Sequence, residues 1–171
     1  MRIVFLFFVC LFSKTIAFAQ ADNKVSAIRE VVEQINKDTV YQKRTLDNEQ
    51  FLEQMTDGGG QLTGYFKNKQ LVKIVEWVGL SSCISLYEYY LQNGLLIFAY
   101  GQEKVFPYDN HTGLFDYQKQ ILGMECRFYF DKGKLINSKF NGQTRCAFAP
   151  SDSQAPDLLA SCKRYSSLLE K

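Results

Sequence analysis

The sequence predicts an α+β fold: a twisted antiparallel β-meander of six or seven strands, with an N-terminal and a C-terminal amphipathic helix packed on one face. Three observations carry this. Apolar residues recur at helical spacing near both ends of the chain. Between them the period changes to that of strands. Three segments there share one pattern, an aromatic pair, a polar turn and an apolar pair.

Residues 1–19 read as a cleaved signal peptide. Arg2 is its positive start, residues 3–12 are an apolar run, and Ala17-Phe18-Ala19 and Ala19-Gln20-Ala21 are overlapping A-x-A cleavage sites. The apolar run falls short of the ~20 residues that span a bilayer. Phe8-Val9 before Cys10 does not make a lipobox. The expected product is periplasmic or secreted, with no transmembrane anchor and no lipid.

Residues 20–171 are expected to form a single α+β domain. Its first element is a helix over about 23–37, where Val25, Ile28, Val32 and Ile35 form one stripe and Arg29, Glu30, Glu33 and Lys37 turn away. Asp47 with Gln50 fits the cap of a single helical turn holding Phe51, ended by Gly58-Gly59-Gly60. A hairpin sheet fills about 40–142. Asn93-Gly94 is its strongest turn signal, because a type I′ turn needs positive φ at both central residues, and Asp131-Lys132-Gly133 is the next. Residues 106–122 are the least regular connection. Leu158, Leu159, Cys162, Tyr165, Leu168 and Leu169 then give a closing helix over about 153–170, with Ser151, Asp152 and Pro156 as start signals.

The units Tyr65-Phe66-Lys67-Asn68-Lys69-Gln70-Leu71-Val72, Tyr89-Tyr90-Leu91-Gln92-Asn93-Gly94-Leu95-Leu96 and Tyr129-Phe130-Asp131-Lys132-Gly133-Lys134-Leu135-Ile136 align with one another. This β-hairpin repeat resembles those of MORN-like and YwqK-type bacterial proteins. The order GGGQLTGYFKNKQLVKIVEW, EYYLQNGLLIFAY, FYFDKGKLI, within about residues 57–140, is similar to a group of uncharacterised small exported bacterial proteins. The resemblance implies an exported sheet domain. It implies no activity and no site residues.

The twenty Lys and Arg lose Arg2 and Lys14 with the leader, and the remaining eighteen balance eighteen Asp and Glu. No long basic stretch survives, so nucleic acid is not an expected partner. Cys83, Cys126, Cys146 and Cys162 remain, and an even count in an exported chain predicts two disulfides. Cys162 on the inner face of a helix stands too far from a sheet cysteine such as Cys126 for the ~7 Å that a disulfide allows. Cys146 lies well past the position opposite Cys126 on its hairpin. Elimination gives Cys83–Cys126 with Cys146–Cys162. No metal site is predicted, since no C-x-x-C pair occurs and His111 is the one histidine.

No catalytic motif emerges and no cofactor is implied. His111 sits in Tyr108-Asp109-Asn110-His111-Thr112-Gly113, a solvated loop by composition, with no nucleophile turn around any serine. Asn110-His111-Thr112 is a glycosylation sequon that matters only in a eukaryotic source. The triple glycine lacks the Gly-Lys-Ser/Thr of a phosphate loop. Glu76, Glu88 and Glu125 lie on predicted strands, Glu125 within reach of Arg127; a pair of them is what a carboxylate hydrolase would use.

Strand alternation places Tyr65, Tyr89 and Tyr129 on one face, with Arg127 on the same side. A tyrosine row suits binding, because each ring offers apolar area and one hydroxyl at little entropic cost. The competing role is a buried cross-strand ladder. The same parity adds Tyr87, Leu91, Leu96, Phe98 and Tyr100, so the central hairpin reads as covered on both sides. The expected function is an exported non-catalytic binding or accessory protein whose ligand is a protein, peptide or glycan. The alternatives are a small extracellular hydrolase using carboxylates and an inhibitor of an extracellular enzyme. Oligomeric state is not encoded in any pattern found.

Overall fold

The computed structural model describes residues 22–146 and 150–171. The signal peptide reading therefore falls outside the described residues.

Helix α1 occupies residues 22–37. The sheet follows as β1 (Gln42–Asp47), β2 (Gly60–Lys67), β3 (Gln70–Gly79), β4 (Cys83–Gln92), β5 (Leu95–Val105), β8 (Ile121–Asp131) and β9 (Lys134–Gly142). These strands are antiparallel in the order β1-β2-β3-β4-β5-β8-β9, a seven-stranded meander. A separate ribbon of β6 (Tyr108–Asp109) and β7 (Leu114–Phe115) interrupts it between β5 and β8. The single turn α2 (Asn48–Phe51) follows β1, and there the Asp47 backbone N–H donates to the Gln50 side chain at 2.9 Å. Helix α3 (Ala155–Leu169), with Pro156 in its first turn, closes the chain.

Three hairpins of the sheet share one geometry. Their central residues are Asn68-Lys69, Asn93-Gly94 and Lys132-Gly133, and all six have positive φ, as a type I′ turn requires. In each, the register slips just before the turn, after Tyr65, after Tyr90 and after Tyr129. The slip is a β-bulge that leaves Val72, Ile97 and Ile136 as the extra residues. Counted from the turns, the residue equivalent to Tyr65 and Tyr129 is Tyr90. Tyr89 is one residue out of step, so it faces the other way.

The two helices take opposite faces of the sheet rather than sharing one. Helix α3 buries Leu158, Cys162, Tyr165 and Leu169 against Leu62, Ile74, Tyr89, Ala99, Cys126 and Phe128. Helix α1 lays Val25, Ile28, Val32 and Ile35 on Tyr90, Phe98 and Tyr129, with Ile97 and Ile136 from the bulges. The reason lies in the central strands, where consecutive residues Tyr89/Tyr90, Phe98/Ala99 and Phe128/Tyr129 are all buried. Such strands need cover on both sides, as the sequence indicated for the central hairpin, and each helix has one stripe to offer.

The disulfide pairing departs from expectation. Cys83 is joined to Cys146, with 6.0 Å between their Cα atoms, and Cys126 and Cys162 are buried free thiols. Cys83 sits opposite Val105 on β5, whereas Cys126 sits opposite Gly101 on that strand's other side. Four residues along the strand and two strand spacings across put the pair well beyond disulfide reach, by roughly 3.3 Å per residue and 4.8 Å per strand. Past β9 the chain crosses back over the sheet. Gln143 N–H donates to the Gly123 carbonyl at 2.9 Å, and the buried Glu103 carboxylate accepts from Thr144 Oγ1 at 2.7 Å and Arg145 N–H at 3.0 Å. That path delivers Cys146 to the start of β4. Elimination failed because it required all four cysteines to pair.

Candidate functional site

One row of side chains crosses all seven strands, and α1 packs on its central part. Its members are Lys43, Tyr65, Lys73, Tyr90, Phe98, Tyr129 and Asn137, each directly opposite the next. Helix α1 runs along this row near the hairpin turns. It is tied to the third turn by the Lys24–Asp131 ion pair and, just past the helix, to the first turn by Asp38–Lys67.

Beyond the helix the same face stays half-exposed. One row holds Thr63, Val75, Glu88, Tyr100 and Arg127, and the next holds Trp77, Leu86, Gln102 and Glu125. Where the open part meets α1 lies a cleft of about 570 Å³, with Arg29, Val32 and Asn36 from the helix and Glu88, Tyr100 and Arg127 from the sheet among its walls.

Hydrogen bonds fix the polar groups of this cleft. The Tyr90 hydroxyl is 2.9 Å from Asn36 Oδ1 and 2.5 Å from Glu88 Oε2. Burial and then Glu88 raise its pKa above the ordinary tyrosine range, so it stays a donor. Lys73 pairs with Glu88 at 3.1 Å and lies over the Tyr90 ring. The Tyr100 hydroxyl donates to Glu125 Oε2 at 2.9 Å and accepts from Gln102 Nε2 at 2.7 Å. Both terminal nitrogens of Arg127 reach Glu125 Oε1 at 3.1 Å, and its guanidinium covers the Tyr100 ring. Arg127 and Tyr100 together hold the Glu125 carboxyl below the usual carboxylate range. Arg29 Nε donates to the Tyr129 hydroxyl at 3.2 Å.

The four residues singled out in the sequence separate. Tyr129 and Arg127 line the cleft. Tyr65 belongs to the same row, four strands from Tyr129, and packs edge-on against Tyr41 with Lys43 over its ring. Tyr89 stands in the core on the α3 face, where its hydroxyl donates to Glu76 Oε2 at 2.8 Å. Sequence reasoning put Phe98 and Tyr100 on the face of Tyr129, where they are found, but missed Tyr90, Asn36 and Arg29. Aligning the units on their turns would have found Tyr90. Nothing local marks Asn36 or Arg29, because they reach the site only through the path of α1 across the sheet.

Glu76 accepts from both Tyr89 and Tyr165, the latter at 2.6 Å, and burial raises its carboxyl above the ordinary range despite those two bonds. This carboxyl is on the face opposite the cleft. His111 is exposed at the ribbon, its backbone N–H donating to Asp109 at 2.8 Å. Beside the ribbon lies a second groove of about 790 Å³, with Phe106, Phe115, Ile121 and Leu122 on its walls. Among the described residues no group of His, Cys, Asp and Glu could hold a metal ion, and no helix is long and apolar enough to cross a membrane. Compared with protein-family models, curated proteins and solved structures, the chain matches none.

Proposed function

We propose that this is an exported, non-catalytic binding module that takes its ligand in the cleft between α1 and the open half of the sheet. The observation that carries the reading is the set of fixed donors and rings in that cleft. Tyr90, Tyr100 and Tyr129 have their hydroxyls held in place by Asn36, Glu88, Glu125, Gln102 and Arg29. A few oriented polar groups among apolar walls are what small-ligand sites have in common. The disulfide and the leader-like first residues support a periplasmic or secreted setting. The three hairpins read as copies of one unit, in keeping with their MORN-like pattern.

A carboxylate hydrolase fits less well. It needs one acid kept protonated beside one ionised partner. Glu88 and Glu125, the acids of the open face, are each held by a cation, and the carboxyl driven upward by burial is Glu76 on the other face.

An amide-detected NMR titration of the processed protein with a panel of peptides and oligosaccharides tests the proposal. Shifts should cluster on residues 29–37 and on Glu88, Tyr100 and Arg127. Shifts confined to residues 106–122, with the cleft unmoved, would overturn it.

A further inference from the structure

Resting on that reading, we infer that the ligand carries a carboxylate and that Arg29 receives it. The charges around the cleft pair off one by one. Lys37 meets Glu33 at 2.7 Å, Lys73 meets Glu88 at 3.1 Å, and the fork of Arg127 is filled by Glu125. Arg29 is the cation left over, with no acidic partner among the described residues.

Arg29 is also held in position. Its Nε is bonded to the Tyr129 hydroxyl at 3.2 Å, and its guanidinium carbon lies 5.5 Å from the Tyr129 ring centroid. Those contacts anchor the root of the fork and leave both terminal nitrogens as donors at the cleft wall. A planar pair of N–H donors is matched by the two oxygens of a carboxylate. One negative charge balances the site. A phosphate would bring nearly two, beside Glu33 and Glu88. Val32, Phe98 and Tyr100 supply apolar surface for the body of the ligand, and about 570 Å³ accommodates a molecule of drug-like size.

Two matched pairs of probes test this on the processed full chain: glucuronate with glucose, and phenylacetate with phenylacetamide. NMR titration should show one acid binding at least about tenfold tighter than its neutral partner, with shifts at Arg29 Nε and Tyr129. Whichever pair responds tells whether the body is a sugar or an aromatic ring. Arg29→Gln should abolish the preference for the acid. Because Arg29 is exposed, the variant should stay folded and lose at most the stability of its contact with Tyr129. Equal binding of acid and amide or sugar in the cleft would overturn the carboxylate and leave the cleft standing. So would an Arg29→Gln protein that keeps the preference. Failure of both acids to shift the cleft at concentrations far above millimolar would also overturn it, while shifts confined to the ribbon would remove the cleft reading itself.

Discussion

The Tyr90 hydroxyl lies 2.9 Å from Asn36 Oδ1, and this contact joins the middle of the sheet to the helix that covers it. The same hydroxyl reaches Glu88, which in turn holds Lys73, so a single oxygen organises one wall of the cleft.

Tyr90→Phe should therefore destabilise the protein by about 1–3 kcal/mol in urea unfolding, the range for losing a buried hydrogen bond to a charged group. The fold should survive, since the ring remains. Hydrogen exchange should quicken in α1 and stay unchanged in α3. Equal quickening of both helices would refute the assignment of this oxygen to α1.

The stability profile with pH should carry the signature of Glu76. Its carboxyl is raised by burial in the folded chain, so the native state favours the protonated form. That contribution is complete below the unfolded value, about 4.3, and is lost as pH climbs through the raised folded value. Glu76→Gln keeps one acceptor oxygen, places an NH2 donor at the other position so that one tyrosine hydroxyl must accept instead, and removes the titration. Urea unfolding across this window should show the parent losing stability relative to Glu76→Gln as pH increases. A constant difference between the two would contradict the shift.

Cys126 and Cys162 should resist alkylation in the native protein and react fully after denaturation. Burial raises both thiols, Cys162 to about 12, so little thiolate exists to react. Mass spectrometry of the chain from residue 20 onward, which lacks Cys10, should find two adducts after unfolding without reductant. Four adducts, or none, would contradict the single Cys83–Cys146 bond.

Alanine substitutions should separate the tyrosines by face. Tyr89→Ala should cost about 3–5 kcal/mol of stability, as for other large core aromatics. Tyr100→Ala, on the half-exposed face, should cost much less and should weaken whatever binds in the cleft. A stable Tyr89→Ala protein would place that ring outside the core described above.

The fold was largely legible in the sequence because its signals are local. The stripe of Val25, Ile28, Val32 and Ile35, the Asn93-Gly94 turn and the Asp47–Gln50 cap each act within a few residues. Errors arose where one residue of register decides everything. Aligning Tyr89 instead of Tyr90 with Tyr65 and Tyr129 turned the middle tyrosine to the wrong face, because strand side chains alternate with period two. The disulfide was not legible for a different reason. Cys146 reaches Cys83 only through the crossing held by Glu103, a contact between residues some forty positions apart that leaves no mark on spacing. Of the cleft, Arg127 and Tyr129 were legible on their strand, and Arg29 and Asn36 were not, since they reach it only through the path of α1 across the sheet.

The Cys83–Cys146 bond makes β4, β5, the ribbon, β8 and β9 into a covalent ring closed over a separation of 63 residues. Its most exposed stretch is the ribbon, where Tyr108, Leu114 and Tyr117 stand open to solvent. That stretch is the natural target of a protease. A single cut there would leave both new ends on one molecule, with β5 and β8 still laced together by their ladder and the crosslink bridging the break. The nicked protein would run as two pieces only after reduction, and it would keep both walls of its cleft.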